Sequence, residues 1–157
     1  MRLTKFTDYS FRVLLHAASL DQNCLTTIEE SALVFGVSRA HLKKVVLCLT
    51  QSGFLIGQRG RSGGFRLALP PAQINLGDVI RATEPDFDMV ECFQTGNACR
   101  LTAGCRLPAI VIRATQNYLS VFDACTLADL VVKPRFFMGP RAASYPALAN
   151  FPNSMKP

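Results

Sequence analysis

Between residues 27 and 64 the chain carries two helix starts, a glycine stop and a glycine-rich loop in close succession, and that order leaves few folds open. Thr27-Ile-Glu-Glu30 is a capping box, in which the threonine hydroxyl and the glutamate carboxylate each satisfy the other's backbone N–H. The helix it starts runs to about Phe35 and stops at Gly36, a residue that tolerates left-handed backbone. Ser38 caps the next helix, with Leu42, Val45, Val46 and Leu49 as its buried stripe and Gly53 at its end. Two short apolar runs follow, Phe54-Leu-Ile56 and Phe65-Arg-Leu-Ala-Leu69. The loop between them, residues 57–64, holds four glycines and two arginines and forms a hairpin tip.

The flanking segments extend this pattern. Thr7 is expected to cap a first helix from about Asp8 to Leu20, with Phe11, Leu14, Leu15 and Ala18 as its apolar positions. Pro70-Pro71 ends the unit, and a short helix spans Leu76 to Thr83, closed by Glu84-Pro85. From Leu107 to about Phe122 the pattern predicts a long helix with Pro108 in its first turn. Leu107, Val111, Ala114, Tyr118 and Val121 recur at helical spacing, widened by Ile110, Leu119 and Phe122. Such a helix is either plain core or, appended to a small domain, one that needs a partner helix from a second subunit.

The expected fold is therefore mainly α with a small β-hairpin wing: a winged helix-turn-helix domain plus a long dimerisation helix. The domains are residues 1–75 (winged helix-turn-helix), 76–106 (short helix and cysteine loop) and 107–132 (dimerisation helix and the segment after it). Residues 133–157 form a tail with five prolines, expected to be flexible.

Charge is unevenly placed. The net formal charge is +6, and from Ser38 to Arg66 there are six cations and no Asp or Glu. Residues 76–157 carry eight cations against seven anions. A basic stretch without compensating acids is a solvated face or a surface for a polyanion, and a capped helix followed by a hairpin is how winged domains address duplex DNA. Arg39 and His41 are the candidates for base edges; Lys43, Lys44, Arg59 and Arg61 suit phosphates. Ser38, Ser62, Gly63 and Gly64 complete the candidate contact set. Together with Gly60, the last two let the wing approach a backbone closely. The other reading of the same domain is a protein-interaction module.

Cys92, Cys99 and Cys105 fall in one 14-residue window. Their spacing is neither the paired pattern of structural zinc nor the tight run of bacterial ferredoxins. Three irregularly spaced thiolates on a loop suit an iron–sulfur cluster with a fourth ligand from elsewhere, with zinc or a thiol–disulfide switch as alternatives. Cys48 sits among apolar residues as a small core side chain; Cys24 and Cys125 are weaker candidates, and His16 and His41 are poor ones. No secretory signal or membrane span is visible, so a cytoplasmic location is expected, where thiols stay reduced. No phosphate-binding loop or nucleophile–base motif suggests an enzyme.

Several stretches together resemble a known family: residues 1–14 (Met1-Arg-Leu-Thr-Lys-Phe-Thr-Asp-Tyr-Ser-Phe-Arg-Val-Leu), Gly36-Val-Ser-Arg-Ala-His-Leu, Arg59-Gly-Arg-Ser-Gly-Gly-Phe-Arg-Leu, the three cysteines, and Tyr118 with Thr126-Leu-Ala-Asp-Leu-Val. Over about residues 1–132 the chain is similar to the bacterial iron–sulfur winged-helix regulators of the NsrR, IscR and RirA group, most of all the nitric-oxide-sensitive repressors, NsrR. The resemblance implies a homodimer on a double-stranded DNA operator, with Cys92, Cys99 and Cys105 holding a 4Fe–4S cluster (2Fe–2S being the alternative). It also implies a fourth ligand from the partner subunit's Asp8. Against this, an acid in a first helical turn is favoured by the helix dipole alone, and Arg12 one turn on is an ordinary ion-pair partner.

Two positions depart from the group. Pro108 stands where IscR-like members place a histidine ligand, and Ala40 replaces an asparagine of the recognition helix. The function implied is a repressor that senses nitric oxide, nitrosylation of the cluster releasing DNA. The alternatives are an iron- or cluster-status (RirA-like) or redox-responsive regulator, and a zinc-stabilised winged-helix protein-interaction module.

Overall fold

The computed structural model describes residues 2–21, 24–60, 62–101, 104–131, 133 and 137. Helix α1 (Lys5–Ala18) starts three residues before the expected Asp8, because Thr4 rather than Thr7 is its N-cap: the Thr4 hydroxyl accepts from the Thr7 N–H. Its buried face is also rotated, running through Thr7, Ser10, Val13, Leu14 and Ala17, while Phe11, Leu15 and Ala18 are only partly buried. A pattern that counts apolar residues passes over Thr7 and Ser10. Both can be buried because their hydroxyls are satisfied, Ser10 donating to the Phe6 carbonyl and Thr7 accepting from Thr83.

Helix α2 (Ile28–Phe35) begins with the full capping box, Thr27 N–H to Glu30 at 2.8 Å and Glu30 N–H to the Thr27 hydroxyl at 3.1 Å, and ends at Gly36 with φ of 62°. Helix α3 (Arg39–Gln51) is capped by Ser38 and buries Leu42, Val45 and Leu49; Val46 is half-buried. Strands β1 (Leu55–Gln58) and β2 (Gly64–Leu67) pair antiparallel with Leu55 opposite Leu67. Thr26, just before α2, adds a short third rung by exchanging two backbone bonds with Phe65. That bridge ties the wing to the start of the helix-turn-helix, and no local sequence signal announces it.

Helix α4 (Leu76–Thr83) occupies the expected span and packs on α1, α3 and α5. Val13, Leu14, Leu42, Val45, Leu49, Leu55, Phe65, Ile74, Leu76, Val79 and Leu127 form one continuous core, so α4 and the 3-10 turn Leu127–Leu130 belong to the same packing unit as the helix-turn-helix. Helix α5 (Leu107–Asp123) runs one residue beyond the expected end and has no buried residue in the single chain.

Candidate functional site

Capping and burial orient α3 so that its cations face outward. Leu42, Val45 and Leu49 fix one side against α1 and β1, which leaves Arg39, His41, Lys43 and Lys44 exposed on the other. Arg39 has a neighbour that its own segment does not reveal: Glu29, in the first turn of α2, lies 3.3 Å from its guanidinium. Both side chains are well exposed, so this pair is weak and leaves Arg39 free to exchange partners. Ten residues of separation hide it from any helical spacing rule.

On the wing, Arg59 and Ser62 are exposed, while Arg61 lies outside the described residues. The glycines serve the wing's own backbone. A Cβ on Gly63 would lie 2.5 Å from the Gln58 carbonyl oxygen, and one on Gly64 would collide with that of Thr26. Gly60, with φ of 120°, makes the turn itself. A tight hairpin, whatever it touches, requires these three positions.

The cysteine loop connects α4 to α5. Cys92 lies in the 3-10 turn Glu91–Phe93 and is half-buried; Cys105 is exposed, two residues before α5. Cys99 is half-buried, and its N–H donates to Asn97 Oδ1 at 2.8 Å, while the Ala98 N–H donates to Glu91 Oε1 at 3.3 Å. Hydrogen bonds within the loop therefore shape part of it. Thiols of this kind suit iron–sulfur or zinc chemistry, so the donor set fits a soft metal group. The arrangement in one chain remains open: among the described residues no group of three or more His, Cys, Asp and Glu side chains could hold a metal. Asp8 is no exception; its carboxylate pairs with Arg12 at 2.7 Å on the surface of α1.

The remaining thiols and histidines fall where ordinary structure explains them. Cys48 donates to the Ala82 carbonyl, Cys125 packs at the core edge, and Cys24 is exposed. His16 is buried with Nδ1 3.0 Å from the Ser31 hydroxyl, and burial pushes its pKa below the usual histidine range.

Sequence reasoning missed how α1 is held. Glu84 accepts from both the Thr4 N–H and the Thr4 hydroxyl, at 2.8 and 3.1 Å, while Thr83 donates to Thr7 at 2.9 Å. The first turn of α1, which carries Asp8, is thus bonded to the last residues before the cysteine loop. Glu84-Pro85 signals only a helix stop in the sequence, since the partner is 80 positions away.

Beside this, α5 presents Leu107, Ile110, Ile112 and Val121 to solvent, the last at 65% exposure, with Leu101 of the preceding loop at 70%. Leu107, Ile110 and Val121 share one side of the helix, with Ile112 on the opposite side, and exposed apolar residues that share a face are what an interaction surface requires. No helix among the described residues is long and apolar enough to cross a membrane.

Comparison with known proteins agrees with this architecture. A family model described as "Rrf2: Iron-dependent Transcriptional regulator" matches residues 3–133. The HTH-type transcriptional regulator NsrR of Geobacillus kaustophilus is 46% identical over 132 residues, covering 83% of this chain and 90% of the relative. Among solved structures, the global cysteine regulator CymR of B. subtilis superposes with a TM-score of 0.62 at 24% identity, covering 83% of this chain and 95% of CymR. T. potens IscR also gives 0.62, at 21% identity, covering 83% and 85%. At that identity these two structures establish a shared fold, the winged-helix one. The chain belongs to the Rrf2 family of transcriptional regulators.

Proposed function

We propose that this chain is a homodimeric, iron–sulfur-dependent repressor that reads double-stranded DNA with α3 and the wing and is switched off by nitric oxide. The observation that carries the reading is its 46% identity to an NsrR regulator over most of both chains. The exposed cations of α3, the thiols of the cysteine loop and the uncovered apolar face of α5 supply the parts such a device needs.

Cys92, Cys99 and Cys105 would hold the cluster through their thiolates, with the partner subunit's Asp8 as fourth ligand. A 4Fe–4S form is the first choice and 2Fe–2S the alternative. When bound, the cluster supplies irons to which nitric oxide can bind. The rest of the work falls to the chain. Ser38, Arg39 and His41 meet the groove at the N-terminus of α3, and Lys43, Lys44, Arg59, Arg61, Ser62, Gly63 and Gly64 meet the phosphate backbone. The cysteine loop lies between α4 and α5, and Thr4–Glu84 and Thr7–Thr83 bonds tie its α4 end to α1. A change in how Cys92, Cys99 and Cys105 are held would free the loop, and the two reading heads would then lose register with their half-sites. A coupling of about 1–3 kcal/mol changes occupancy about 5–150-fold.

A second reading, in which iron or cluster status is the signal, is favoured by the words "Iron-dependent" in the family description. Anaerobic purification, visible absorption and a nitric-oxide titration run in parallel with DNA anisotropy separate the two. Loss of DNA binding at a few nitric oxide molecules per cluster is expected. A cluster indifferent to nitric oxide but lost on iron chelation moves the assignment to iron sensing. A colourless protein defeats both.

A further inference from the structure

Between the reading domain and α5 lies a polar joint that capping rules explain only in part. Asn75 is the N-cap of α4, its side-chain oxygen accepting from the Gly77 and Asp78 N–H groups at 2.9 and 3.2 Å. Its amide nitrogen donates the other way, to the Asp123 carbonyl at 2.7 Å and the Cys125 carbonyl at 3.3 Å. One side chain thus satisfies orphan N–H groups at the start of α4 and the orphan Asp123 carbonyl at the end of α5, adds a second donor to the Cys125 carbonyl just beyond it, and has its orientation fixed by these donor and acceptor roles.

A second bond set repeats the connection. Arg81, one turn further along α4, grips the Asp123 carboxylate with both terminal nitrogens, at 2.7 and 2.8 Å, and also lies 3.5 Å from Asp78. This fork is the strongest geometry available to an ion pair and the most demanding of direction. It needs room that only glycine leaves: a Cβ on Gly77 would collide with the Asp123 carboxylate and crowd the Arg81 guanidinium. Backbone bonds from Leu76 N–H to the Cys125 carbonyl and from Leu127 N–H to the Ile74 carbonyl close the joint from behind.

We propose that Asn75, Gly77, Arg81 and Asp123 form a spacing-determining joint, which sets the angle of α5 against the reading domain and thereby the half-site separation that the dimer accepts. The inference rests on the proposed function, in which α5 carries the second subunit. Lever length makes it consequential. At about 1.5 Å per residue, α5 with its 17 residues is about 25 Å long. A tilt of about 10° at its base moves the far end by about 4 Å, against about 3.4 Å per base-pair step. These residues are therefore specificity-determining without touching DNA.

The test uses the full-length dimer and a duplex that the wild type selects from a randomised library. The spacer of that duplex is then lengthened and shortened by one and two base pairs. Wild type is expected to bind the selected spacing about tenfold better than its neighbours, within the discrimination usual for one altered position. Gly77→Ala, which adds the colliding methyl group, should flatten that preference to within about threefold or move the optimum by a base pair. Affinity for an isolated half-site should stay as in wild type. Arg81→Gln, at an exposed position, gives the same readout without a buried change.

Unchanged spacing profiles in both variants overturn the proposal, as does an equal weakening at every spacing. A wild type that selects no duplex overturns the DNA-reading function itself and this inference with it. A wild type that selects one while the variants behave identically sinks the joint alone.

Discussion

The reading domain and the segment that follows it are built from the same chain in opposite ways. Up to α4 the helices carry side-chain caps, and together with strand β2 they send Leu14, Leu42, Leu49 and Phe65 into one sealed core. From Glu84 to Thr126, none of the described residues is buried. Isolated helices are marginal in water and owe their stability to packing of an apolar face, and α5 has only a one-sided contact in the single chain, along α4 and through the partly buried Phe122. The contrast teaches where function is complete. The reading head packs within its own sequence, whereas Cys105 of the loop and the outer side of α5 stand exposed in the single chain.

Truncations on either side should differ sharply. Leu42→Ala removes a fully buried side chain and should lower folding stability by about 2–5 kcal/mol, read as a fall in the urea midpoint at any protein concentration. Val121→Ala, at a position 65% exposed in the single chain, should stay within about 0.5 kcal/mol in dilute protein. Its effect should appear instead as weaker dimerisation in sedimentation. Equal destabilisation of the dilute protein by both would show that α5 is core, and the contrast would collapse.

The next effect in size comes from the loop. On the proposed function, Cys105→Ser should abolish the visible absorption of the anaerobically purified protein and weaken operator binding by about 5–150-fold, the range for a coupling of about 1–3 kcal/mol. The reading domain should still melt as in wild type, because Cys105 is exposed and touches none of the core. A variant that keeps both colour and affinity would remove Cys105 from the site.

How much of this was legible follows the same division. The capping box at Thr27–Glu30, the Ser38 cap and the span of α4 were readable because each is settled locally, between neighbouring backbone and side-chain groups. The start of α1 was misplaced because Thr4 and Thr7 are both plausible caps. What decides between them is Glu84, 80 residues away, together with Thr83. The Thr26–Phe65 bridge and the Glu29–Arg39 pair were unreadable for the same reason: neither obeys a period. At the cysteines, spacing and residue type pointed to metal chemistry, yet the described residues of one chain assemble no donor group. Spacing rules see one segment at a time, so they do not say which residues from elsewhere would complete such a donor set.

On the reading face the expected effect is smaller and graded. Each phosphate contact contributes about 0.9 to the slope of log affinity against log salt. Replacing exposed Arg59 with Ala should reduce that slope by about 0.9 for each phosphate the arginine neutralises, an effect of about eightfold over a tenfold change in salt. All sequences should weaken together, whereas Arg39→Ala should also relax sequence preference. A slope unchanged by Arg59→Ala would detach the wing from the phosphates.

The smallest effect probes whether the reading domain is as closed as its core suggests. His16 lies between α1 and α2, hydrogen-bonded to Ser31, with the Phe35 ring edge-on at 5.8 Å and the Phe137 ring at 5.4 Å. Burial disfavours the imidazolium and lowers its pKa below 6.5, outweighing the opposing pull of the Glu30 carboxylate. The folded chain therefore holds fewer protons than the unfolded one between the depressed value and 6.5, and stability rises with pH across that window. The contribution is fully present above 6.5 and is lost as pH falls through the folded value. Glu30, Asp123 and Asp129 all have pKa values lowered by their hydrogen bonds, so they titrate at lower pH and leave this window to the histidine. Urea midpoints measured from about pH 7.5 to about 5.5 should decline for wild type and hold steadier for His16→Gln, which removes the titrating group. The exposed His41→Gln serves as the control that keeps the wild-type decline. Because the group is sealed within one chain, the decline should not change with protein concentration. A wild-type midpoint that is flat or rises toward acid would mean that His16 is charged in the folded state, and that the α1–α2 seam admits water.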